Sequence, residues 1–111
     1  MTVQVVSLFD PKYAENAQTT QYTSANVRTI VDKFTVTNVT AGTVTFALNL
    51  VPSGGAAGSG NLLISTRGIL AGETYLCPEI VGHTLDSGDF ISTLAGAATS
   101  LAIAASGRTV T

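Results

Sequence analysis

From Thr43 to Leu50 the chain alternates without interruption: Val44, Phe46, Leu48 and Leu50 fall on one side, Thr43, Thr45, Ala47 and Asn49 on the other. A side-chain period of two belongs to an extended strand with one face on a core, whereas a helix needs apolar residues every three to four positions. A lone strand leaves its backbone donors and acceptors unpaired, so this segment constrains the rest of the chain to supply neighbours of the same kind.

The sequence supplies them. Thr2 to Phe9 is rich in valine and stops at Asp10-Pro11, a turn-favouring pair whose proline has no N–H for a ladder. Arg28 to Asn38 mixes β-branched residues with a late alternation, Phe34 and Val36 inward, Thr35 and Thr37 outward. Asp32 shares the inward phase with Phe34, so a bulge is expected near Val31 and Asp32. Leu62 to Arg67, Thr74 to Cys77 (ended by Pro78), Phe90 to Leu94 and Leu101 to Ala105 read as further strands, separated by turns at Ala71-Gly72-Glu73 and Asp86-Ser87-Gly88-Asp89. The alanines of Leu94–Ala105 favour helix on propensity, but Leu101, Ile103 and Ala105 alternate and residues 95–100 make a connecting loop. Residues 10–27, polar and without either period, are read as a loop or arm, and Pro52 to Gly60 as a flexible glycine-rich loop.

Seven to eight short strands in 111 residues fit one all-β domain over residues 1–111, a small β-sandwich of immunoglobulin-like or jelly-roll topology. The patterning does not choose between the two topologies.

Composition narrows the function. Charged residues are 11% of the chain, against roughly 25% in ordinary soluble proteins, and Thr, Ser, Ala and Gly take their place. An exterior so poor in charge suits a domain that buries surface against other subunits. Lys12, Arg28, Lys33, Arg67 and Arg108 are scattered, the formal net charge is −2, and no basic stripe offers itself to nucleic acid. The most apolar run, Leu94–Ala105, is too short to cross a bilayer as a helix. With a single cysteine and neither a basic leader nor an apolar signal core in its first residues, the chain is expected to be soluble and made in a reducing cytoplasm.

No catalytic, cofactor or metal site is expected. Cys77 and His83 are the only nucleophile and base near each other in sequence; a cysteine in a strand serves more cheaply as a small hydrophobe. The run Gly54–Gly60 lacks the Gly-Lys-Ser/Thr ending of a phosphate loop. Asp86, Asp89 and Glu79 have calcium-ligand chemistry, but turn formation accounts for the two aspartates. Asn38-Val39-Thr40 matches a glycosylation acceptor by chance composition. Thr35, Thr37, Thr43 and Thr45 are accounted for first by β-propensity on a solvent face and only second by docking on a partner sheet, and sheet edges with few charges invite partner strands.

The segments Tyr13-Ala14-Glu15-Asn16-Ala17-Gln18-Thr19-Thr20-Gln21-Tyr22, Asp32-Lys33-Phe34-Thr35-Val36-Thr37-Asn38, Leu50-Val51-Pro52-Ser53-Gly54-Gly55 and Ala71-Gly72-Glu73-Thr74-Tyr75 together resemble small β-sandwich virion proteins of tailed bacteriophages. The resemblance spans most of the chain and rests on strands and turns. It implies a non-catalytic structural protein of the phage particle, a homo-oligomeric capsid decoration or cement protein whose partner is the major capsid protein or another virion protein. A tail, fibre or connector component, or a module binding host glycan, is the alternative. For the interface, Tyr13, Tyr22, Thr35 and Thr37 are the expected contributors.

Overall fold

The computed structural model describes residues 2–111, and among these the period-two segment forms the strand it predicts, β4 (Val44–Val51). The other strands are β1 (Val3–Tyr13), β2 (Thr19–Thr23), β3 (Arg28–Asn38), β5 (Leu62–Ile69), β6 (Thr74–Tyr75), β7 (Thr84–Leu85), β8 (Phe90–Ala95) and β9 (Leu101–Val110). All pairings are antiparallel. Sheet 1 runs in the order β1-β9-β3, with β6 and β7 both on the far edge of β3; sheet 2 runs β2-β8-β4-β5.

This order selects the topology that sequence left open. The first strand pairs with the last, β2 with β8, β3 with β6 and β7, and β4 with β5. The chain is therefore one long antiparallel ribbon folded at its middle and wound so that successive strand pairs fall in alternate sheets. That is a jelly roll, with β6 and β7 as two halves of one interrupted edge strand.

The inner faces meet where the alternation says they should. Val31, Phe34, Val36, Leu101 and Ile103 from sheet 1 pack on Phe46, Leu48, Ile64, Ile69 and Ile91 from sheet 2. Phe34 is the bridge, with its ring centroid 6.3 Å from Phe46 and edge-on to Phe9 at 5.7 Å. Ile80 and Leu85, from the β6–β7 segment, close the edge beside β3.

The expected bulge is present: the β3–β9 register shifts between Val31 and Lys33, which swings Asp32 to the surface. Gly107 faces it. A Cβ there would lie 2.2 Å from the Ile30 carbonyl oxygen, so the bulge requires a residue without a side chain.

Three expectations are corrected. Residues 10–27 are not a loop or arm throughout: β1 continues through Asp10-Pro11 to Tyr13, and Thr19–Thr23 is a strand. Register shifts at Ser7/Phe9 and Phe9/Lys12 let proline sit on an edge strand where its missing N–H breaks no ladder. β2 escapes a hydrophobicity reading because it is an edge strand held by polar contacts. The strand count is nine among the described residues, β2 and the two-residue β7 being the additions. Finally, β9 runs on from Ala105 to Val110, since Ser106 to Val110 can pair on both sides with β1 and β3.

The glycine-rich segment is tied down. Asn49, on the outer face of sheet 2 and 3% exposed, donates to Gly58 O (3.0 Å) and Asn61 Oδ1 (2.8 Å); Asn61 donates to Ala56 O (3.0 Å). Gln18 donates to Ser92 Oγ at 2.7 Å beside them. Asn49 thus occupies the polar phase of β4 but is covered by the returning loop.

Asn38 is the corner post of the sandwich. Its amide donates to Gly42 O (2.7 Å) and Ile69 O (2.8 Å), and its Oδ1 accepts from Thr40 N (2.9 Å) and Thr40 Oγ1 (2.7 Å). One fully buried side chain so links the end of β3, the β3–β4 turn and the end of β5 in the other sheet. Both amide hydrogens are committed, which leaves the nitrogen of the glycosylation-like triplet inaccessible.

Candidate interaction surface

The reactive side chains singled out in the sequence each sit in a setting of their own. The Cys77 thiol is fully buried, contacts the Tyr75 carbonyl at 3.9 Å, and is pushed up to about 12 by burial, with Glu79 adding to the shift and Arg67 opposing it. A thiol held protonated is a poor nucleophile at neutral pH. His83 is exposed on the turn before β7, and its backbone carbonyl accepts from Val31 N at 3.1 Å. The three carboxylates considered for calcium each have another task. Asp89 caps two backbone amides, Ser53 N and Asp86 N, both at 2.9 Å; Asp86 pairs with Arg28 at 3.2 Å; Glu79 accepts from the Tyr75 hydroxyl at 2.6 Å. Among the described residues no cluster of His, Cys, Asp or Glu is placed to hold a metal, and no helix is long and apolar enough to cross a membrane.

What the fold assembles is a face. On the outer side of sheet 1 the register sets cross-strand rows: Val3 with Val110 and Arg28, Val5 with Arg108 and Ile30, Ser7 with Ser106 and Lys33, and Tyr13 with Ala102 and Thr37. Thr35 pairs with Ala104 between the last two rows. Because the central strand β9 presents Ala102, Ala104 and Ser106, the middle of the face is low. A depression of about 340 Å³ runs there between Ser7, Phe9 and Pro11 on one side and Lys33 and Thr35 on the other.

Charge is nearly cancelled on this face. Arg108 grips Asp32 through both nitrogens, Nη2 to Oδ1 at 2.9 Å and Nε to Oδ2 at 3.0 Å, and that carboxylate raises the guanidinium pKa further. Asp32 reaches Arg108 only because the bulge turns it outward. Past Lys33 a second depression, about 390 Å³, is bounded by Leu76, Pro78 and Val81, two of which are exposed large apolar side chains.

Of the four residues expected at an interface, Tyr13, Thr35 and Thr37 meet on this one face. Thr37 also bonds the Thr74 hydroxyl at 2.9 Å. Tyr22 does not join them: it packs against the core, and its hydroxyl lies 2.8 Å from Thr29 Oγ1, inside a buried network with Ser24. Thr45, grouped with Thr35 and Thr37 by pattern, lies in sheet 2 and is therefore on the opposite outer surface. Glu15, from the supposed arm, is tied to Lys12 (2.7 Å) and Gln21 (2.8 Å), and these two bonds lower its carboxyl pKa.

Sequence reasoning missed a clasp at the sandwich edge. Arg67 of β5 lies 4.0 Å above the Tyr75 ring, while burial and the Glu79 carboxylate push the Tyr75 phenol up to about 12. Arg67 and Tyr75 come from strands in different sheets, so no spacing in the chain announces their contact.

No family model and no curated protein sequence matches this chain. Among solved structures it is similar to a chain in the structure of infectious bursal disease virus, Gx strain, with a TM-score of 0.51 and 13% identity. The match covers 97% of this chain and 31% of that one, so this chain spans about a third of its neighbour's length. At that identity the likeness is one of fold.

Proposed function

We propose that this domain is a non-catalytic structural subunit of a virus particle, and specifically a bacteriophage capsid decoration or cement protein that binds the major capsid protein. The observation that carries the reading is the outer face of sheet 1: a shallow surface centred on Ala, Ser and Thr, where Arg108 and Asp32 neutralise each other and Lys33 stands between two depressions, rimmed by Tyr13 and Val5 on one side and Leu76 and Val81 on the other. Such a face suits docking on another protein surface rather than enclosure of a small molecule. The jelly roll is common among viral capsid domains, and the structural neighbour comes from a virus, which supports the assignment without carrying it.

Mechanistically, a shell is braced when many shallow contacts repeat by symmetry, because multivalency multiplies weak interfaces. The middle of the face sits on β9 and β3, strands paired on both sides, which lowers the ordering cost on binding. A glycan-binding module would need an aromatic platform; among the described residues Tyr13 is the one exposed aromatic side chain.

The test is co-sedimentation of the purified chain with phage capsids that lack it. Saturable binding at high copy number, with increased resistance of the capsid to heat, is expected. Absence of binding, or binding of a few copies at one vertex, refutes the cement role and moves the assignment to tail or connector assembly.

A further inference from the structure

The four sheet edges differ in how they meet solvent. The β3 edge is occupied by β6, β7 and the turn between them, where Gly82 N donates to Val31 O at 2.7 Å and Val31 N to His83 O. The β5 edge is broken by a register shift around Thr66, a β-branched residue at φ 43°. β2 is five residues long and shifts register between Thr20 and Tyr22. β1 is interrupted in its second half at Phe9 and Pro11, but Val3 to Ser7 pairs with β9 in unbroken register, carries no charge and no proline, and has nothing on its outer side. The usual protections of an edge are missing from this one stretch.

The direction of its free groups follows from the ladder. Thr111 N donates to Thr2 O at 3.0 Å, which makes Val3 and Val110 a non-hydrogen-bonded pair. Alternation then assigns Gln4 and Val6 to bonds with Thr109 and Gly107, and turns the N–H and C=O of Val3, Val5 and Ser7 toward the open side. Among the described residues Val5 is also the most exposed large apolar side chain, at 83%, with Val3 at 54%.

We propose that Val3–Ser7 pairs antiparallel with the same segment of a second copy, about a two-fold axis at Val5, joining the two outer sheets into one. In this register Val5 faces the partner's Val5 and Val3 faces the partner's Ser7, so the free groups of all three residues are satisfied. The second copy is the occupant because the segment is self-complementary: no like charges meet, and the exposed valines cover one another. An isologous pairing also consumes the edge on both partners, so association closes at the dimer.

The pairing is independent of the virion reading, since it is measured on the isolated chain. Sedimentation over a concentration series and residue-resolved amide exchange test it, with Val5→Pro and Val5→Lys as variants. Proline removes only an N–H that faces away from β9, and lysine sets two ammonium groups against each other at the axis, so neither touches the β1–β9 ladder. The wild-type mass is expected to double with concentration. Slowed exchange at Val3, Val5 and Ser7 appears only in the dimer, while Gln4 and Val6 stay protected in all samples. Both variants stay monomeric with native-like spectra. A wild-type chain monomeric at every concentration, a dimer that survives in either folded variant, or a dimer whose Val5 amide exchanges freely overturns the proposal.

Discussion

Replacing Asn38 by aspartate changes a single NH₂ into an oxygen and isolates the role of the corner post. In the native chain that nitrogen feeds the Gly42 and Ile69 carbonyls, while Oδ1 receives two donors from Thr40. Aspartate keeps the Thr40 bonds, loses the other two, and points an acceptor at two acceptors in a site with no solvent exposure. An unsatisfied buried polar group costs about 1–3 kcal/mol, so two orphaned carbonyls plus their repulsion from a carboxylate amount to roughly 3–6 kcal/mol. That is a large part of the ~5–15 kcal/mol available to a domain of this size. At about 4–8 °C per kcal/mol for small domains, the melting temperature at pH 7 is expected to fall by about 12 °C or more. The pH dependence checks the cause. Two facing carbonyls and burial raise the folded-state pKa of the new carboxyl above its unfolded value. The folded form then binds more protons in that window, and the deficit grows as pH rises from the unfolded toward the folded pKa. Below the unfolded pKa the protonated carboxyl regains one donor and the deficit shrinks. Thermal melts at pH 4 and pH 7, with Asn38→Ala as a charge-free control, measure this. A melting temperature within 3 °C of wild type at pH 7, or a deficit equal at both pH values, would falsify the account of Asn38.

Three further outcomes are expected. Gly107→Ala places a methyl against the Ile30 carbonyl opposite the bulge; overpacking of this kind costs roughly 1–3 kcal/mol, and an unchanged urea midpoint would show that the bulge relaxes freely. Cys77 reacts with a thiol reagent at pH 8 only as fast as the chain opens. Since the folded thiol keeps its proton to about 12, the unfolded thiol, near 8.5, ionises first, so its contribution is lost as pH climbs between those values; rapid labelling of the native chain would contradict its burial. Thr35→Glu adds a charge to the centre of the sheet 1 face without touching the core, so it is expected to abolish capsid co-sedimentation while shifting the melting temperature by less than about 3 °C; full binding by the folded variant would remove that face from the interface.

Local patterning was legible where one side of a strand was buried and the other was not. The alternation of Val44, Phe46 and Leu48 and the phase error at Asp32 each correspond to a feature of the fold, because period two and its violation are properties of neighbouring residues. β2 was hidden since an edge strand carried by Gln18, Gln21 and Thr93 hydrogen bonds has no apolar period to betray it. Of the four residues expected at an interface, Thr35 and Thr37 had a readable phase in β3, whereas the outward placement of Tyr13 at the end of β1 and the inward placement of Tyr22 in β2 depend on strand pairings with β9 and β8.

The sequence by itself determined an all-β chain, the phase of its central strands and its poverty in charge, since these follow from residue type and nearest-neighbour spacing. The winding of the ribbon into a jelly roll, the Asn38 corner, the Arg67–Tyr75–Glu79 clasp and the shallow face that joins Tyr13, Ala102 and Thr37 were decided by tertiary structure alone. The physical reason is separation along the chain: Tyr13 and Ala102, or Arg67 and Tyr75, meet only when strands distant in sequence or in opposite sheets are brought into register, and no local pattern encodes which strands those are.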